Sequence, residues 1–441
     1  MPDVVPAAAR AHTEDLGAFV SASPSSYHAA QEVARRAEAA GYARLDETAA
    51  WDVVPGGRYV VVRDGSAIAF TVPPTAGATT PFTILGTHTD STGFKLKPKP
   101  TIGRDGWVQA GVEVYGGPLL NSWLDREVEL AGRLVTSDGS GGTVEHLVRT
   151  GPIARIPQLA IHLDRSANDA LTLDKQRHTQ PVVGLGDVSQ ADVLAELAAA
   201  AGADGDGSEG VDAADVLGYD VVLAETQPPR AFGIGETLWA SPRLDNQLST
   251  HAAIAALLAV APEDLTGIGV VAAFDHEEIG SGSRSGAAGP FLEDVLRRVS
   301  AGLGAAEDER ARAFAASLCV SSDVGHAVHP NYPERHDPAN HPHAGGGPIL
   351  KINANQRYAT DAHGAARWQA ACAAAGVPSQ EFVSNNTVPC GSTTGPITAT
   401  RLGIRVVDVG AAILSMHSAR ELTAVVDPWY LSRAMQAVLA G

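Results

Sequence analysis

The chain changes rhythm twice, and that interruption most limits what it can fold into. Up to about residue 91, and again from about residue 237, short apolar runs alternate with helical stretches. Between them, residues 92–236 carry many glycines, a Lys95-Leu96-Lys97-Pro98-Lys99-Pro100 tract and period-two stretches at 107–114 and 126–134. Period two broken by turn residues marks antiparallel strands. The flanking segments follow another rule. Residues 59–62, 67–72, 82–85, 269–274, 318–321 and 405–409 read as buried strands bounded by Gly, Pro or polar residues. Helices are expected over 13–40, from Asp245 to about Val260 as a long amphipathic helix, over 290–303 and 364–375, and at 418–422 just after His417. The simplest architecture is one α/β domain, residues 1–91 and 237–441, split by an inserted β-rich domain over 92–236. Within that insertion an Ala-rich helix is expected at 190–201 and a solvated loop at 202–210.

A chain of 441 residues has room for two domains and a full core. Its formal charge of −18 argues against nucleic acid and against an anionic membrane as partners. Three cysteines (Cys319, Cys372, Cys390), odd in number and without CxxC spacing, point to no disulfide framework and to a reducing cytoplasm. The first twelve residues lack a basic-then-apolar secretory pattern. The longest apolar run, 252–261, stops at Pro262, well short of a membrane span. A soluble cytoplasmic protein is expected.

Five metal-binding residue types are scattered through the α/β segments: His88 in Gly86-Thr87-His88-Thr89-Asp90, Asp245 in Arg243-Leu244-Asp245-Asn246, Glu278 in Asp275-His276-Glu277-Glu278, Asp323 in Ser321-Ser322-Asp323, and His417 in Ser415-Met416-His417-Ser418. Three of these segments follow a strand-like run by one to four residues, and ligands in open α/β sheets gather beyond the carboxyl ends of strands. Each residue taken singly is more often a structural hydrogen-bonder. Together they supply two divalent ions: one bridging Asp, then one His and one carboxylate for each ion. Asp90 is placed to hold the second nitrogen of His88. Of Glu277 and Glu278, one would be a ligand and the other a general base; adjacency alone does not assign them.

The motifs resemble those of the aspartyl aminopeptidase family of cocatalytic dizinc metalloaminopeptidases. The resemblance runs through Gly86-Thr-His-Thr-Asp-Ser91, Leu124-Asp-Arg-Glu-Val128, Gln158-Leu-Ala-Ile-His-Leu163, Ser241-Pro-Arg-Leu-Asp-Asn246 and Asp275-His-Glu-Glu-Ile-Gly-Ser281. It continues through the segment 322–332, Lys351-Ile-Asn-Ala-Asn-Gln-Arg-Tyr358, Pro389-Cys-Gly-Ser-Thr-Thr-Gly-Pro396 and Met416-His-Ser-Ala-Arg-Glu421. It implies a three-layer αβα zinc-peptidase domain interrupted by a β-rich dimerisation or lid domain. It also implies two divalent ions per subunit, best filled by zinc, though Co²⁺ and Mn²⁺ accept the same donors. His88, Asp323 and bridging Asp245 would hold one ion; Asp245, Glu278 and His417 the other. Glu277 would be the general base and Asp90 would orient His88. The substrate would be a peptide with an acidic N-terminal residue. Lys351 would lie in the side-chain pocket, Tyr358 near the scissile carbonyl, and His326 and His329 along the pocket. His162 would act in a neighbouring subunit of a homo-oligomer, a dodecamer built from dimers. His336, His341 and His343 read as loop residues rather than a metal tract. The rivals are a two-metal aminopeptidase or deacylase preferring neutral side chains, and a catalytically silent metal-binding assembly protein.

Overall fold

A computed structural model describes residues 5–201 and 211–441, so the loop expected at 202–210 lies outside the described residues. Nine strands form the main sheet, in the order Ala43–Arg44, Arg58–Arg63, Ser66–Thr71, Ile268–Phe274, Phe82–His88, Leu318–Ser322, Arg405–Gly410, Ile349–Ile352, Gln380–Val383. Four neighbours at its centre, from Ile268–Phe274 to Arg405–Gly410, run parallel. Their side chains alternate between two cores. Val271, Leu85, Val320 and Val407 face the helices Ala7–Ala22, Ser26–Ala39, Leu244–Ala259, Ala362–Ala375 and Asp427–Ala440. Val270, Ile84, Cys319 and Val406 face Phe291–Gly302, Glu307–Ala316 and Thr394–Leu402. The result is a three-layer α/β/α architecture. Phe70, Phe274 and Phe291 are almost wholly enclosed, and burying each stabilises the fold by roughly 2 kcal/mol.

The interrupting segment forms a closed six-stranded barrel: Val216–Glu225, Gly93–Arg104, Trp107–Tyr115, Val182–Leu185, Thr143–Arg155 and Glu127–Ser137. Phe94, Leu96, Val112, Leu130 and Val221 fill it. The Ala-rich helix is shorter than its composition suggests. It spans Val193–Ala200 because Asp192 caps it, accepting from the Leu194 N–H, and a 3₁₀ turn at Val188–Gln190 precedes it.

A smaller sheet lies beside the main one, with the order Arg230–Phe232, Leu238–Ser241, Glu421–Ala424, Ala412–Leu414, Gly325–His326. Two local expectations fail here. Residues 418–422 are not a helix: Glu421–Ala424 is a strand, paired residue for residue with Leu238–Ser241. Ser-Ala-Arg-Glu-Leu carries good helix propensity, but long-range pairing overrides it. The helix Leu244–Ala259 keeps its expected bounds but is not amphipathic. Asn246, Gln247, Ser249, Thr250 and His251 are all fully buried, because several of its polar side chains hydrogen-bond to neighbouring chain segments. Among the described residues, no helix is long and apolar enough to cross a membrane.

Candidate metal centre

The parallel strands deliver three of the five candidate ligand segments to one edge. His88 ends its strand, Asp323 follows Leu318–Ser322, and Glu277 and Glu278 form a one-turn 3₁₀ helix after Ile268–Phe274. Asp245 enters from the start of Leu244–Ala259, which runs back across the sheet. His417 comes from the turn between Ala412–Leu414 and Glu421–Ala424. Non-glycine residues with positive φ flank these positions: Arg243 (53°), His276 (64°), Ser415 (60°) and His417 itself (66°). Each such residue costs about 1 kcal/mol, so neighbouring contacts must hold it.

Asp245 stands at the centre. Its Oδ1 lies 3.2 Å from His88 Nε2 and its Oδ2 lies 3.5 Å from His417 Nε2. Asp323 Oδ1 is 3.5 Å from His88 Nε2, and Glu278 Oε2 is 3.3 Å from His417 Nε2. Glu277 stands farther off, with Oε2 4.0 Å from His88 Nε2. Ligating atoms of His88, Asp245 and Glu278 all fall within 4.8 Å of one another, the one such cluster of three or more among the described residues.

The imidazoles are oriented by backbone carbonyls: His88 Nδ1 meets Asp90 O and His417 Nδ1 meets Gly117 O, each at 3.0 Å. A carbonyl accepts only, so Nδ1 carries a proton and each ring turns Nε2 toward carboxylate oxygens, the nitrogen that a cation would take in exchange for its proton. Buried Asp245 Oδ1, Glu278 Oε1 and Asp323 Oδ1 have no hydrogen-bond partner. Unpartnered carboxylate oxygens converging with two Nε2 atoms in a buried site fit cations between them.

The titration pattern has the same cause. Burial lifts Glu277 to about 7 and, with the Asp245 charge beside it, lifts Glu278 well above the carboxylate range. Burial opposes charging of His88 and His417, but the surrounding carboxylates outweigh it; His417 rises to about 9 and His88 rises well above its ordinary value. Asp245 resists its own burial because both imidazoles stabilise its charge, and its pKa falls. The cluster collects protons where positive charge is wanted.

Asp90 is more than a partner for His88. Its carboxylate accepts the backbone N–H groups of Glu277 (3.0 Å) and Glu278 (3.1 Å) and the Tyr115 hydroxyl (2.8 Å), while its Oδ1 stays 3.4 Å from His88 Nδ1. The buried polar face of Leu244–Ala259 ties the strand ends together: Asn246 donates to Ser322 O, Gln247 to Thr89 O and Thr250 to His88 O. Sequence reasoning passed over Glu421 and Tyr115. Glu421 accepts from the Asp245 and His417 N–H groups, and burial lifts its pKa to about 8. A signal was present, because Glu421 closes the motif that contains His417.

The candidate substrate residues divide. His326, His329 and Tyr358 line one cleft with His336, Arg335 and Phe382. Burial, with the Lys351 charge adding to it, holds His326 below its usual pKa. Lys351 does not line that cleft and is 2% exposed. Its ammonium donates to Val324 O (2.9 Å), sits 3.9 Å from Asp323 Oδ2 and lies 5.3 Å from the Tyr358 ring centroid. His162 is not brought to the cluster within this chain. It occupies an exposed turn of the insertion between exposed Ile161 and Leu163. His341 and His343 meet edge to face in a loop, 5.2 Å between ring centroids.

The model of the family described as Aminopeptidase I zinc metalloprotease (M18) matches residues 19–438. A probable M18 family aminopeptidase 2 of Streptomyces avermitilis is 55% identical over 436 residues, covering 98% of each chain. Its counterpart in Mycobacterium tuberculosis is 42% identical over 441 residues, again covering 98% of each. Among solved structures, Ape4 in its complex with Nbr1 superposes with a TM-score of 0.94 at 35% identity, over 98% of this chain and 86% of that one. The S. cerevisiae mApe1 dodecamer gives 0.83 at 27% identity, over 97% and 96%. The chain belongs to the M18 family of zinc aminopeptidases.

Proposed function

We propose that this aminopeptidase removes acidic residues, Asp or Glu, from peptide N-termini with two divalent ions. One observation carries the two-metal part: Asp245 turns one oxygen toward each of two imidazole Nε2 atoms, with Asp323 beside one and Glu278 beside the other. His88, Asp323 and Asp245 would hold one ion, and Asp245, Glu278 and His417 the second, with zinc suiting the mixed N and O donors. Bound there, such ions supply Lewis-acid activation of a water and of the scissile carbonyl. Glu277, spared from ligation, takes the proton from the attacking water and returns it to the leaving amine. Asp90 fixes that base by holding its backbone N–H.

Lys351 supplies the cation for the acidic side chain, with Tyr358, His326 and His329 lining the approach. Reaching Lys351 requires the substrate carboxylate to displace its bond to Val324 O. The insertion, residues 92–236, serves as a dimerisation and lid domain between catalytic segments 1–91 and 237–441. Its exposed Leu159, Ile161, Leu163 and Leu185 are apt for burial between subunits of a homo-oligomer, a dodecamer as in the mApe1 relative. His162, among them, would reach a neighbour's site. Three unpaired cysteines suit a cytoplasmic setting.

Hydrolysis of Asp-, Glu-, Leu-, Lys- and Ala-aminoacyl substrates, with chelator and metal add-back, tests this reading. Chelator-sensitive cleavage confined to Asp and Glu is expected. Metal-dependent cleavage of neutral substrates at equal rates would remove Lys351 as selector.

A further inference from the structure

Glu421 is a buried carboxylate, 3% exposed, that ligates nothing in the arrangement above. Strand pairing sets it opposite Ser241, four residues before Asp245. From there Oε2 accepts the Asp245 N–H at 2.9 Å and Oε1 accepts the His417 N–H at 2.8 Å. The Asp245 N–H lies in the first turn of its helix, where no intrahelical acceptor exists. The His417 N–H lies in a turn whose backbone sits at φ 66°. One side chain therefore satisfies two donors, a buried one on the shared carboxylate residue and a part-buried one on the outer imidazole residue.

We propose that Glu421 is the positioning residue that sets the His417 half of the site in register with the bridging carboxylate, so that the second ion binds tightly. The inference rests on the two-metal reading. His88 does not depend on Glu421: its backbone is fixed in the central sheet and its carbonyl accepts from Thr250. His417 depends on Glu421 and on residues 117–119 of the insertion, where Leu119 N–H meets His417 O. Losing one Glu421 oxygen frees either the His417 turn or the start of the Asp245 helix, while His88 and Asp323 stay held by strands. The effect falls mainly on the ion that would take both His417 and Asp245.

The test uses the full-length protein, stripped of metal and titrated with zinc against a chromophoric chelator, with metal content measured in parallel. Wild type should take up two ions per subunit. Glu421→Gln keeps the side chain's size but turns an NH₂ toward one donor. Its weaker site should lose roughly 10–100-fold in affinity while the tighter one stays within about threefold. Glu421→Asp, which retains two acceptor oxygens, should recover part of the loss, and it decides the matter if the Gln variant does not fold. Thr423→Val, on the same strand, removes a buried hydrogen bond to Ala412 O and should lower the melting temperature with both ions retained. A Gln variant that binds both ions with wild-type affinity overturns the inference alone. So does a Thr423→Val variant that loses the second ion equally. Wild-type protein that binds fewer than two ions overturns the two-metal reading beneath it.

Discussion

His88 and His417 face the two oxygens of one carboxylate, yet the chain supports them by different means. The His88 side chain is 2% exposed and ends a strand flanked by parallel neighbours on both sides. The His417 side chain is 32% exposed and hangs from a turn of the smaller sheet, its ring oriented by Gly117 from the interrupting segment. One half of the site is a product of the core. The other is assembled where the small sheet meets the insertion. A core strand gives rigidity, whereas a turn gives access for exchange and for substrate, so the halves should differ in how readily they release an ion.

The largest effect is expected at the proposed base, on the His88 side. Glu277→Gln should lower kcat by roughly 10²–10⁴-fold with both ions retained. Metal content falling together with activity would put Glu277 in the ligand set of the His88 half instead. Brief chelation should sharpen the comparison next. The ion beside His417 should leave first, giving biphasic metal loss whose faster phase is quickened by His417→Ala and untouched by Lys351→Ala. Simultaneous loss of both ions would erase the distinction between the halves.

If Lys351 is the selector, as proposed, selectivity belongs to the His88 side, because Lys351 lies 3.9 Å from Asp323. Lys351→Ala should cut the preference for acidic over neutral substrates by roughly 10–100-fold, the worth of a charge-assisted hydrogen bond. An unchanged preference would move the selector to the cleft, with Arg335 the next cation to vary.

The smallest effect concerns His28, buried in the helix Ser26–Ala39. Burial lowers His28 from 6.5 to about 3, with Arg149 and Arg243 adding to it. Between those values the unfolded chain binds a proton that the folded one does not, so this group's contribution to stability falls as pH drops from about 6.5. The melting temperature of zinc-saturated His28→Gln should therefore gain on wild type between pH 7.5 and 5. A difference independent of pH would contradict the burial argument.

The contrast between the halves also marks what the sequence could reveal. His88, Asp323 and the Glu277-Glu278 pair were legible because each follows a strand whose apolar run shows in composition and spacing. The three-layer fold was legible for the same reason. Glu421 stands in a visible motif, but its place beside Asp245 was not legible, since its segment has helix propensity and becomes a strand only by pairing with residues 238–241. The buried polar face of Leu244–Ala259 was hidden too. Its Asn246, Gln247 and Thr250 look like a solvated stripe until the ends of two strands meet them. Local pattern carries local structure, and contacts between segments distant in sequence do not leave that kind of trace. His162 sits in a recognisable motif, but a single chain gives it nothing to act on.

The most direct test of the bridging geometry is anomalous diffraction at the zinc edge from crystals of the zinc-loaded protein. The account predicts two peaks per subunit, one among His88, Asp245 and Asp323 and one among Asp245, Glu278 and His417. A single peak, or a second one away from His417 and Glu278, would contradict it.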